Sequence, residues 1–545
     1  MKADKVFKSG KIVTMNSFQP IAEAVATRGD KIIRVGTDPE IAQLIGEKTE
    51  VVDLDGKTMI PGFIDVHVHV LDFGKTLQWL ELTEVKSIRE LQSILKEHAT
   101  GSPKDRWIVG RGWDETQFKE KRLPNLSDLD LASSNNPVIL FRENSLMCIV
   151  NGRALELAGI TKSTVIPQDG MIDKDATGEL TGILSGAATD LVWTKISEPN
   201  EDELLELVTL ALDKVTEAGI TSVHWIALSA REISIVRKLC ARRKLKVRVF
   251  LVLPAELVDE AAVFQLDDDS MLCLGGGMIV ADGYLAAKTA ALFQPYTDEP
   301  SKRGRLSLSQ KRLVSEIKRV LKANLQLVVQ AMGDKAIDAS LVAIESASKG
   351  ASPKNFPHRI EQPAVLNPTL IEELKRQNVV ASVQPCVVAS EFTVWKAEEH
   401  LGTERVRWLY PLKTLVDAGV NVAAGSDCPM EPLNPLLGIQ TVVTSDFHPE
   451  ERISVWEALR MYTTGAAYAS KEETLKGSIE AGKFADMTVL SDDPFSVSPI
   501  DIAKIAVELT VVGGKIVFTR KNQRSINPDW KLRKGSGANP EPQSI

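Results

Sequence analysis

The segment Met59-Ile60-Pro61-Gly62-Phe63-Ile64-Asp65-Val66-His67-Val68-His69 carries the most distinct chemistry in the chain. In an extended strand residues i and i+2 share a face, so His67 and His69 project together. Two imidazoles from one strand form half of a compact metal site and need only carboxylate or imidazole partners from other strands. A bare His-x-His pair more often simply packs. This pair ends an apolar run that follows Pro-Gly, a context that favours ligation. His224, near the end of a second apolar run, reads equally as an extra ligand or substrate contact and as a histidine satisfied by hydrogen bonds.

These groups need a scaffold, and the middle of the chain supplies a pattern for one. Short apolar runs at 62–68, 221–225, 247–252, 278–281, 327–330, 358–361, 379–384 and 421–424 alternate with amphipathic stretches such as 201–218, 230–244, 309–323, 337–348 and 368–377. Strands alternating with helices make parallel βαβ units, and eight of them predict an α/β fold closed as a (β/α)₈ TIM barrel. In such a barrel the chemistry sits at the C-terminal strand ends. The interval of about 71–200 is too long for one strand-to-helix connection. It holds strand-like 107–110 and 138–141 and turn-rich 168–178, and reads as an insertion after the first barrel strand, lying over the barrel mouth. Short β-type runs at 5–7, 11–14, 31–35 and 51–54 are matched late in the chain by 485–490, 510–512 and 515–518. The predicted organisation is a small β domain from 1–60 and 472–520, a barrel over 61–471 and a polar tail at 521–545.

Composition narrows the function classes. The 545 residues carry 65 lysines and arginines against 73 aspartates and glutamates, a formal net charge of −8, which disfavours nucleic acid as the main partner. Five cysteines in this length exclude a disulfide scaffold and fit a reducing compartment. The N-terminus has no apolar signal-like core and no window approaches a membrane span, so a cytoplasmic chain without a membrane partner is expected. Gly275-Gly276-Gly277 lacks the strand-to-helix context of a nucleotide fingerprint. Arg242-Arg243-Lys244 reads as a solvated helix end.

The motifs PGFIDVHVH (61–69), GITSVH (219–224), ADGYLAAKTAALFQPY (281–296), AMGDKAID (331–338), HRIEQ (358–362), SVQP (382–385), GSDCPMEPLNPL (425–436) and GKFADMTVL (482–490) together resemble the amidohydrolase superfamily, within it the YtcJ-like branch or amidohydrolase family 3. The resemblance spans almost the whole chain. It implies a metallo-(β/α)₈ barrel with a small β-sandwich built from both chain ends, and hydrolysis of amide, amidine or related C–N bonds through a metal-activated water.

The departures from that family are informative. Its two-metal pattern has paired histidines on strand 1, a carboxylated lysine on strand 4, histidines on strands 5 and 6 and an aspartate on strand 8. Here the resemblance assigns His67, His69 and Asp427 to the retained positions, but Met278, Gln330 and Gln362 to the others. A glutamine amide oxygen is a weak, neutral donor, better at orienting a polar group than at holding zinc. The expectation is therefore a mononuclear site in which His67, His69 and Asp427 hold one divalent ion, zinc by preference, with Asp427 as ligand, general base or both. Leu146 and the stretch Thr181–Gly186 stand where relatives carry a histidine and a glutamate, which favours an apolar or aromatic small-molecule ligand. Gln330, Gln362, His224, Trp113 and Tyr284 are the candidate substrate contacts, the two aromatic residues being equally readable as packing. Cys386 and Cys428, after strands 7 and 8, are candidate thiolates but more often such residues pack. The family also suggests a homodimer. Three functions stand: hydrolysis of an amide-like or cyclic amide C–N bond, non-hydrolytic acid/base chemistry (lyase, isomerase, hydratase or cyclase) in the same barrel, and ligand binding without catalysis.

Overall fold

The computed structural model describes residues 2–143, 147–261, 270–348 and 356–520. The reading of Leu146 and the tail at 521–545 lie outside the described residues. The chain forms two compact units, one from residues up to Phe73 together with those from Leu205 onward, the other from Gly74–Leu204.

In the first unit eight parallel strands form one sheet: β1 (Phe63–Val68), β2 (Ile220–Ile226), β3 (Arg248–Pro254), β4 (Leu272–Val280), β5 (Gln326–Gln330), β6 (Arg359–Glu361), β7 (Val380–Val383) and β8 (Val422–Ala424). Each pairs with its neighbour in chain order. The two edges meet where the chain leaves β8. Asp427 N donates to His67 O at 2.7 Å, and His69 N donates to Cys428 O at 2.9 Å. This junction closes the (β/α)₈ barrel expected from the sequence and places the chain after β8 directly against the two strand-1 histidines. Helices Glu201–Glu217, Ala230–Ala241, Gln310–Lys322, Asp334–Ser348 and Pro368–Arg376 separate strands, each within a few residues of its predicted limits.

The one barrel strand that the apolar pattern shortened is β4, which begins at Leu272 and takes Gly275-Gly276-Gly277 into its interior. Glycine is normally weak in a strand, and here its lack of a side chain has a packing reason. A Cβ at Gly275 would overlap Cζ, Cε1 and Cε2 of Phe250. That ring fills the barrel interior with Ile226, Val252 and Val328, with Met278 and Phe356 packed against them. Phe250 also packs on the imidazole of His224, with ring centroids 4.6 Å apart and planes tilted by 34°.

Strands from both chain ends build two further sheets in this unit. One, in spatial order, is Lys31–Gly36, Ala24–Arg28, Lys5–Lys8 and Glu50–Asp53; the other is Lys515–Thr519, Val507–Val512, Met487–Leu490, Thr58–Pro61, Lys11–Val13 and Ile21–Ala22. Their inward residues, among them Phe7, Val25 and Ile32 from the first and Ile12, Met59, Met487 and Val511 from the second, form one buried cluster.

The second unit is a six-stranded sheet flanked by helices, with Leu80–Glu81, Ile108–Trp113, Val138–Arg142, Met147–Val150, Leu180–Gly186 and Gly170–Lys174 in spatial order. The stretch 168–178, read as turns, contains the strand Gly170–Lys174, which pairs antiparallel with Leu180–Gly186. Asp175 supplies the turn between them by accepting from the backbone N–H groups of Thr177 and Glu179. No helix of the described residues is long and apolar enough to cross a membrane.

Candidate metal centre

β1 brings its two histidines to one end of the barrel, and the turn after β8 brings Asp427 against them. Asp427 takes a left-handed backbone (φ 59°) that turns its side chain back toward β1. Asp65, two residues before His67, secures this junction: its Oδ1 accepts from His67 N at 3.1 Å and from Ser426 N at 2.9 Å. Burial, working against those hydrogen bonds, pushes the Asp65 carboxyl up to about 6.

The three side chains converge. Nε2 of His67 lies 3.5 Å from Asp427 Oδ1, and Nε2 of His69 lies 3.4 Å from the same oxygen. Among the described residues this is the one cluster of three or more His, Cys, Asp or Glu groups with its donor atoms within 4.8 Å of one another. The other oxygen of Asp427, Oδ2, accepts from Gln362 Nε2 at 2.8 Å. Gln362 reaches it from just past β6, with φ 55°. The Gln362 amide therefore orients the carboxylate, leaving Oδ1 for the histidines.

The ring of His67 is held from behind. Its Nδ1 lies 2.8 Å from Glu361 Oε2, which also accepts from Ser382 Oγ at 2.6 Å. Arg359 Nε sits 2.6 Å from the remaining oxygen, Oε1, with both side chains fully buried. Burial opposes ionisation of Glu361, but the Arg359 charge, with His67 and Ser382, outweighs it and holds the carboxyl below its ordinary value. A carboxylate against Nδ1 makes that nitrogen the N–H and turns the Nε2 lone pair toward Asp427. Burial lowers the His69 imidazolium, yet its hydrogen bond and charge interaction with Asp427, helped by Asp72 and Glu232, produce a net rise.

The donor set suits a cation. Two imidazole nitrogens and a carboxylate oxygen facing one another need a proton or a positive ion among them. The 3.4 and 3.5 Å spacings exceed an ordinary hydrogen bond. They match the roughly 3.3 Å between two ligands of a tetrahedral zinc ion with bonds of about 2.0–2.1 Å.

The remaining candidates separate. Gln330, buried at the end of β5, sits in register with Glu361, and Met278 packs into the apolar barrel interior. His224 stands outside the cluster of three, with its Nε2 buried and without a hydrogen-bond partner. Arg359 Nη1 lies 2.5 Å from its Nδ1, and burial followed by the Arg359 charge lowers its pKa well below the ordinary value, so it is a neutral acceptor. Tyr284 stands partly exposed after β4. Trp113 is corrected to a core residue: it is fully buried within the second unit's own hydrophobic cluster and its indole N–H donates to Leu140 O at 2.8 Å. Cys386 is buried, and burial pushes its thiol far above the ordinary value, which removes it as a thiolate nucleophile. Cys428 is likewise buried.

Sequence reasoning passed over Arg359, Glu361 and Ser382. The available signal was two opposite charges at i and i+2 in an apolar barrel strand, a spacing that points both inward. Glu391, after β7, also escaped notice: burial, with the Asp427 charge adding, pushes its carboxyl up to about 7.

A barrel with a two-histidine, one-carboxylate cluster at its C-terminal end agrees with the comparisons. The chain belongs to the amidohydrolase family, whose model matches residues 50–518. It is 33% identical over 536 residues to YtcJ of Bacillus subtilis (strain 168), covering 95% of this chain and 100% of that one. It is 27% identical to an N-substituted formamide deformylase of Arthrobacter pascens, covering 95% and 98%. A crystal structure of an uncharacterized metal-dependent hydrolase from Pyrococcus furiosus superposes with TM-score 0.76 at 30% identity, covering 90% of this chain and 100% of that one.

Proposed function

We propose that the chain hydrolyses an amide-like or cyclic amide C–N bond in a small molecule, using one divalent cation, zinc by preference, held by His67, His69 and Asp427. The observation that carries this reading is the approach of both Nε2 atoms to one oxygen of Asp427 at zinc-ligand spacing, within a cluster of donor atoms no more than 4.8 Å apart. The formamide deformylase and the metal-dependent hydrolase among its relatives support it. A cation bound by these groups supplies Lewis acidity, which polarises a substrate carbonyl and acidifies a water molecule.

The protein's own groups do the rest. Asp427 binds through Oδ1, and the second lone pair of Oδ2, the one Gln362 leaves open, receives a proton from the attacking water and returns it to the departing nitrogen. Gln362 Oε1 is buried with no hydrogen-bond partner and is placed to accept from a substrate N–H. Gln330 at the neighbouring strand end is a second neutral polar contact. Leu228 after β2, Val280 ending β4 and Met430 after β8 are 49%, 46% and 44% exposed, and with Tyr284 they offer an apolar rim at the C-terminal strand ends. That composition selects an apolar or aromatic substituent on the substrate.

The experiment is reaction of an N-substituted formamide series in ¹⁸O-labelled water with zinc-loaded protein. One labelled oxygen in the released acid supports hydrolysis. Turnover without label in the product points instead to lyase, isomerase or cyclase chemistry at the same site.

A further inference from the structure

Behind the three converging groups lies a buried polar chain that the proposed reaction does not itself use. Arg359 and Glu361 occupy the inward positions of a three-residue strand and are both fully buried. Arg359 reaches across the barrel interior in two directions. Its Nε is 2.6 Å from Glu361 Oε1, and its Nη1 is 2.5 Å from His224 Nδ1. Glu361 Oε2 then meets His67 Nδ1 at 2.8 Å and Ser382 Oγ at 2.6 Å. His224 is itself packed against Phe250, tilted on it at 4.6 Å, whose ring occupies the space that Gly275 leaves open.

We propose that Arg359 is a positioning residue for the cation site: its planar fork, anchored on His224, fixes the Glu361 carboxylate so that Oε2 alone faces His67 and locks the tautomer and ring plane that aim Nε2 at the cation. The inference rests on the cation reading above and adds to it a residue that touches neither cation nor substrate. An arginine is suited to this task because its rigid planar cation can hydrogen-bond His224 through Nη1 while its charge, at Nε, lies against Glu361 Oε1. A lysine offers one flexible point charge and cannot hold both. A buried pair of this kind is costly to desolvate and is weak evidence for a stabilising role. Its place behind His67 is accounted for by orientation, since groups that orient a metal ligand typically matter ten- to a hundredfold in metal affinity.

The test compares wild-type protein with Arg359→Lys and Arg359→Met, each titrated with Zn²⁺ in competition with a chromophoric chelator and separately loaded with Co²⁺ for visible spectroscopy. The expected result is a Zn²⁺ dissociation constant raised about ten- to a hundredfold in both variants, together with a shifted or weakened cobalt ligand-field band. The lysine chain keeps the buried positive charge and carries the test alone should the methionine chain fail to fold. A folded Arg359→Lys protein with wild-type Zn²⁺ affinity and an unchanged cobalt spectrum overturns the proposal, because a role confined to stability would lower the urea midpoint and leave the spectrum alone. Failure of the wild-type protein itself to bind either ion overturns the cation reading and this inference with it, which keeps the two failures distinguishable.

Discussion

Gly275→Ala is expected to damage the metal centre without touching it. A methyl at this position overlaps three atoms of the Phe250 ring edge. The ring has little freedom to retreat: it lies tilted against His224 at 4.6 Å and meets Phe356 edge-on at 6.4 Å. Inserting one carbon into such a packed interior costs about 1–3 kcal/mol, against a gain of about 0.4–1 kcal/mol from a less flexible unfolded chain. The net loss is therefore centred on about 1.3 kcal/mol, or roughly a tenfold fall in the folding equilibrium constant. Gly276→Ala is the internal control. Its methyl meets Val328 Cγ2 at 3.0 Å and Val252 Cγ2 at 3.3 Å, contacts relieved by shifts of a few tenths of an ångström, so its loss should be clearly smaller than that of Gly275→Ala. Urea unfolding of the metal-free proteins measures both, and chelator competition should show weaker zinc binding only in Gly275→Ala. Adding Phe250→Leu, which removes the ring, should recover most of the lost stability. Equal stability of the two alanine variants, or no recovery with Phe250→Leu, would refute the packing argument.

Three further outcomes follow from the site. Glu361→Gln should raise the zinc dissociation constant about ten- to a hundredfold and lower the stability of the metal-free chain by about 3–5 kcal/mol, because it strands the buried Arg359 charge; chelator competition and urea unfolding read the two effects separately. The Glu391 carboxyl stands near 7 because of burial and then Asp427. A cation that offsets the Asp427 charge lowers the Glu391 pKa, so zinc binding at pH 7 should release a fraction of a proton that Glu391→Gln does not release; calorimetry in buffers of different ionisation enthalpy measures it, and identical release in both proteins would contradict the assignment. Gln330→His combined with Gln362→His should raise zinc stoichiometry above that of the wild type, read by elemental analysis, whereas an unchanged stoichiometry would count against the strand-end assignments.

The barrel was legible because its strands are apolar runs separated by amphipathic helices, and both periodicities survive in a single sequence. All eight strand regions carry the expected elements. β4 begins earlier than its apolar run because Gly275-Gly276-Gly277 carries no apolar signal, and the Phe250 ring that needs the space is seen only in the structure. The strand Gly170–Lys174 was hidden for a related reason, its polar residues and flanking turn masking a two-stranded pairing. His67, His69 and Asp427 could be singled out from motifs, but their distance from one another could not, because barrel closure places the turn after β8 beside β1. His224 read equally as a ligand or substrate contact and as a hydrogen-bonded histidine; the Arg359 partner of its Nδ1 appears only in the structure, because the two residues lie 135 positions apart in the chain. Trp113 illustrates the opposite limit, since a tryptophan reads equally as a substrate contact and as packing until its side chain is seen buried in its own unit's core. Arg359 and Glu361 were overlooked because charged residues in a short strand suggest an edge, and their inward direction appears only with the register.

The most direct measurement is native mass spectrometry of zinc-saturated protein beside His67→Ala, His69→Ala and Asp427→Ala. The account predicts one zinc ion per chain in the parent and none retained in each of the three variants under the same conditions. Two ions per parent chain, or a zinc ion that survives removal of any one of these side chains with unchanged affinity, would contradict it.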